Sequence, residues 1–74
     1  MQTATDYFIE LHNDLIAANQ TIVSNLRTSA RTIEALAEDF RFHAHTAASC
    51  GCKEAHEAFI QSASRLSVLA SQRA

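Results

Sequence analysis

Five of the six histidines and cysteines in this 74-residue chain, His43, His45, Cys50, Cys52 and His56, fall within fourteen positions around Gly51, the only glycine. Thiolate and imidazole groups together select zinc or copper over magnesium or calcium. Metal ligands must converge in space, and helical geometry sorts these candidates. His43 and His45, two apart, point to nearly opposite sides of a helix, whereas Cys52 and His56, four apart, share one face. One of the first two is therefore surplus, and the candidate ligand set is His45, with His43 as its alternative, together with Cys50, Cys52 and His56, which would form a structural or sensory zinc or copper site at a turn. One residue separates the cysteines, where structural zinc sites more often place roughly two to four. Taken separately, Cys50 and Cys52 read as small apolar fillers near a turn, His43 as a seam histidine beside Phe40 and Ala47, and His45 and His56 as solvated polar residues.

Other chemistry is sparser. Cys52 at a helix start would gain thiolate character from the helix dipole, with His56 one turn away, which opens a redox alternative. The chain carries no Gly-rich phosphate loop and no strand-turn-helix that would present a nucleophile, so no catalytic residue is assigned and a non-enzymatic protein is expected. The segment Ala44-His45-Thr46, near a helix end and followed by small residues, resembles the histidine segment of histidine-phosphotransfer domains. That resemblance implies phosphotransfer on His45, but it is short, and the lysine and glycine that those domains carry after the histidine are Ala48 and Ser49 here.

Size and charge narrow the class. A single domain of 74 residues with 47% apolar residues is in the range where one hydrophobic core is marginal, so help from a partner chain, a metal or regular helix packing is expected. Cys50 and Cys52 are too close in sequence to form a disulfide framework, which favours reduced thiols and a cytoplasmic setting. Neither a signal peptide nor a membrane span is expected, since the purest apolar run is Leu15 to Ala18. Six basic residues are scattered among eight acids with a net charge of −2, so there is no basic stripe for nucleic acid.

The elements that would position the cluster are helices. Apolar positions recur at helical spacing from Phe8 and Ile9 through Leu15, Ile22, Leu26, Ile33 and Phe40 to Ala47, with a shift of phase between Ile22 and Leu26. Thr3 and Asp6 make a capping-box pattern, so a helix should begin within a residue or two of Thr5. With no proline in the chain, the periodicity predicts one long helix over about 5–49, a turn over 49–52 closed by Gly51, and a second helix over about 53–73. Such an all-α hairpin leaves half of its first helix, about 66 Å long, without an intrachain partner, so it should self-associate into a helical bundle, as a homodimer. The alternative is a three-helix bundle with a break near 24–29, where Ser24, Asn25, Thr28 and Ser29 are poor helix formers and Thr28 or Ser29 offers a cap.

Phe8, Leu15, Ile22, Leu26, Ile33, Phe40, Phe59 and Leu66 are the expected core or oligomer interface. Asn25 should fix register at the seam, and His12 should lie on the polar flank of the first helix. Tyr7, Ile9, Ile60 and Val68 border the stripes as a possible exposed patch. The function expected is that of a small regulatory or interaction protein that self-associates and binds a protein partner through an exposed helix face. The alternative is metal binding through the turn cluster.

Overall fold

A computed structural model of the chain describes residues 3–74 as three helices: α1 (Ala4–Ser24), α2 (Ala30–Ser49) and α3 (Lys53–Gln72). The all-α class holds, and the arrangement is the three-helix alternative. The continuous helix expected over 5–49 is interrupted at residues 25–29, the place where the apolar stripe shifts phase.

Polar side chains make the break without glycine or proline. Asn25 Oδ1 accepts from the Arg27 amide at 2.9 Å, and the Thr28 hydroxyl donates to the Ile22 carbonyl at 2.6 Å, satisfying a carbonyl left open where α1 ends. Ser29 then starts α2 by accepting from the Thr32 amide at 3.2 Å. From the far end of the chain, the Arg73 guanidinium donates to the carbonyls of Val23 at 2.8 Å, Asn25 at 2.9 Å and Thr28 at 3.3 Å. Asn25 is therefore a cap and turn residue, not the register-fixing seam residue expected of it.

At the start of α1, Thr3 accepts from the Asp6 amide while the Asp6 carboxylate accepts from the Thr3 amide, the reciprocal box that the pattern implied. The end of α2 is equally local. Gly51 takes φ 75°, its amide donates to Ala48 and the Cys52 amide donates to Ala47, which is the Schellman closure. An added Cβ at Gly51 would meet nothing within 4 Å, so only backbone strain opposes a substitution. Gly51→Ala should cost about 1 kcal/mol, read as a lower midpoint in urea with an unchanged slope, and Gly51→Asn less; an Ala variant as stable as the parent would contradict this closure.

α2 and α3 form the closest pair. Their contact is rich in alanine: Ala37, Ala44, Ala47, Ala55, Ala63 and Ala70 are buried, and small side chains let the two helices approach closely. At the edge of this pair, Arg41 of α2 bonds to Glu34, Glu38 and, across to α3, Ser67. α1 lies along the pair and parallel to α3, with His12 beside Ser62 near the middle of both helices and Val23 beside Arg73 at their C-terminal ends. Of α1 only Phe8 is fully buried, while Ile9, Leu11, Leu15 and Val23 pack against the core from its edge.

The core holds Phe8, Ile33, Phe40, Phe59 and Leu66 of the residues expected there, with Leu15 half-buried. Ile22 and Leu26 lie outside it, at 40% and 88% exposure: Ile22 sits on the flank of α1 beside core-packed Val23, and Leu26 belongs to the loop that leaves the α2–α3 pair. Folding α1 back also removes the long overhang from which the dimer was first argued.

Candidate functional site

The residues of the His and Cys cluster are dispersed by the elements that carry them. His45 is exposed on α2, and His43, two residues earlier, is half-buried on the other side, tilted against Phe59 with ring centroids 5.5 Å apart. Cys50 is exposed at the end of α2, whereas Cys52 is buried, its Sγ 3.8 Å from the Cys50 carbonyl oxygen. That burial belongs to the Schellman turn, in which the residue after the glycine packs back on the last turn of the helix. His56 is half-buried, and its Nδ1–H donates to the Ala44 carbonyl at 2.9 Å, tying α3 to α2. Among the described residues, no group of three or more His, Cys, Asp or Glu side chains is placed to hold a metal ion.

His12 departs furthest from its expected place. Instead of lying on a polar flank it meets Phe59 edge-on at 5.1 Å and Phe40 at 6.0 Å. Its Nδ1 is 3.1 Å from Asn13 Oδ1 and its Nε2 2.7 Å from the hydroxyl of buried Ser62. Asn13 Oδ1 can only accept, so Nδ1 carries the proton and Nε2 accepts from Ser62. The contact satisfies a buried hydroxyl and sets the level of α1 on α3. A base, a hydroxyl and an orienting amide are thus aligned, with Ser62 buried and the imidazole edge-on to Phe59 and Phe40.

Space opens instead along the second half of α1. A groove of about 240 Å³ is walled by Ile16, Asn19, Gln20 and Val23 of α1 and floored by Phe40 of α2 and Leu66 of α3. Its lining is mostly apolar, with the polar side chains of Asn19, Gln20 and Ser24 and no titratable group. Asn19 turns its amide back on its own helix, donating to the Leu15 carbonyl at 2.9 Å. Ile16 at the groove is 44% exposed; Ile22, on the other flank of α1, is 40% exposed, and Leu26 projects from the following loop.

No protein-family model, curated protein or solved structure matches the chain. Its own geometry carries the functional argument.

The segment beside the groove has a sequence signal that apolar periodicity overlooks. Residues 15–26, from Leu15 to Leu26, contain no charged residue on any face of the helix, whereas Asp6, Glu10 and Asp14 precede them and Arg27 and Arg31 follow. A helix that presents only one face to the core normally carries charge on the other. Tyr7, Ile60 and Val68 of the expected border patch are exposed, and Ile9 packs against the core. Among the described residues no helix is long and apolar enough to cross a membrane.

Proposed function

We propose that this chain is a non-enzymatic helical interaction protein that self-associates and binds a protein partner through an exposed helix face. The observation that carries the reading is the second half of α1: uncharged along its whole circumference, with large aliphatic side chains in solvent and an apolar groove beside it. Desolvating that surface is favourable and strips no charge of its water. A groove lined by aliphatic and aromatic carbon suits an aliphatic side chain from another chain, while the amides of Asn19 and Gln20 supply a polar edge. Regulation of a partner by occupancy of this surface, in the reducing setting of the cytoplasm, completes the reading.

Mass action tests it. If chains associate through folded surfaces, the midpoint of thermal unfolding rises with protein concentration, by several degrees over a hundredfold range. A midpoint that stays constant over that range would remove self-association from the proposal.

A further inference from the structure

We infer that α1 is an exchangeable arm: residues 25–29 can become helical and fuse α1 and α2 into one helix over 4–49, and two such chains dimerise by each packing its α1 on the α2–α3 pair of the other. This rests on the self-association proposed above and gives it a route that requires no new surface. Three observations converge on it.

The first is the hinge. It contains neither glycine nor proline, and among the described residues only Gly51 takes a positive φ. Asn25 (φ −75°, ψ 116°) and Ser29 (φ −70°, ψ 156°) depart from helical geometry in ψ alone, so turning ψ is enough to make both helical. Continuity would satisfy the backbone groups left open at the end of α1 and the start of α2. Opposing it are the side-chain bonds of Asn25, Thr28 and Ser29, and those of Arg73, whose acceptor carbonyls at Val23, Asn25 and Thr28 the continuous helix would take up.

The second is the face. At about 100° per residue, a continuous helix puts Phe8, Leu15 and Val23 of α1 and Ile33, Phe40 and Ala44 of α2 within about 60° of Leu26. The faces that both helices turn to the core therefore merge into one stripe, centred on a leucine that the closed chain leaves 88% exposed.

The third is register. A two-fold axis at Leu26 sets His12, fourteen residues before it, level with Phe40 of the other copy, fourteen after it. Those two rings meet at 6.0 Å within the closed chain. The exchanged dimer thus remakes between copies the contacts that α1 makes within one, including His12 with Ser62 and Phe59, and adds Leu26 against Leu26 on the axis.

Substitutions in the hinge move the balance in opposite directions. Ala30→Pro suits the closed chain, because Ala30 is the first residue of α2 and Ser29 before it is extended, but it breaks a helix that continues through this position. It should keep the parent's helicity by circular dichroism and stay monomeric at concentrations where the parent dimerises. Asn25→Ala with Ser29→Ala removes the turn and the cap and adds helix formers. This pair should tighten dimerisation at least about tenfold, since each dimer contains two hinges. Sedimentation equilibrium reads both.

Spin labels on exposed Cys50 and on Ala4→Cys, in chains diluted into excess unlabelled protein, read the separation within one chain. It should be about 70 Å in the exchanged dimer, whereas the closed chain measures only 41 × 19 × 13 Å. A dimer that shows only the short separation, or that Ala30→Pro leaves intact, overturns exchange while self-association through folded surfaces stands. Should Ala30→Pro fail to fold, the alanine pair and the label separation still decide. A parent and an alanine pair that both stay monomeric overturn this inference and the self-association reading together.

Discussion

Phe59→Ala is expected to cost about 3–5 kcal/mol of stability, the largest loss of any single substitution considered for this chain. Phe59 comes from α3, is fully buried, and meets both other helices: His12 of α1 at 5.1 Å, and Phe40 and His43 of α2 at 5.9 and 5.5 Å between ring centroids. Removing a buried phenyl ring costs about 3–5 kcal/mol, from lost transfer energy and from the cavity left behind. A domain of 74 residues has roughly 4–11 kcal/mol of stability, so that loss removes between about a third of it and, at the lower end of the range, all of it. His12 would also lose the ring against which its imidazole rests, although its bond to Ser62 could persist. Urea unfolding followed by circular dichroism reads the effect. A loss below about 1 kcal/mol would mean that Phe59 is not the junction of the three helices.

Arg73→Met should act on one part of the molecule and spare another. The methionine keeps an unbranched apolar stem but loses the donors to Val23, Asn25 and Thr28, three carbonyls at the end of α1 and in the loop that turns into α2. Bonds from a charged donor contribute about 1.5–3 kcal/mol each when well desolvated; here the guanidinium is half-buried and its bonds act jointly, so about 2 kcal/mol in total is expected. Amide hydrogen exchange should quicken in the second half of α1 and in residues 25–29, while the centres of α2 and α3 keep their protection. Arg73→Lys should recover only part of the loss, because an ammonium does not reproduce the planar fork that reaches separate carbonyls. Uniform acceleration across all three helices would show that α1 does not open separately from the α2–α3 pair.

These two residues also mark what was legible in the sequence. The start of α1, the end of α2 and the extent of α3 were readable because local chemistry sets them: Thr3 with Asp6 at one boundary, Gly51 at the other, and the spacing of Ala55, Phe59, Ala63, Leu66 and Ala70 along α3. The break at 25–29 was visible only as a phase shift and a cluster of weak helix formers. What stabilises it includes Arg73, nearly fifty residues away, and no local pattern reports that contact. His12 was misplaced for the same reason, since its partner Ser62 is fifty positions distant and turns a polar flank into an interior hydrogen bond.

The turn cluster teaches the converse. His45, Cys50, Cys52 and His56 are neighbours in sequence, but a helix rotates its side chains by about 100° per residue, and the Schellman turn sends Cys50 outward and Cys52 inward. His56 meanwhile reaches the Ala44 carbonyl. The groove was hidden because apolar periodicity asks where the core is, whereas the informative signal was twelve residues without charge.

If this protein works through the exposed second half of α1, association with itself is the first consequence. Sedimentation equilibrium of the unmodified chain, from about 1 μM to about 1 mM under reducing conditions, tests it most directly, because mass is read without assumption about shape and the exposed Cys50 is kept from cross-linking. The expected result is a weight-average mass that climbs from 8.1 kDa towards twice that value and falls back on dilution. A single species of 8.1 kDa across the whole range would rule out self-association.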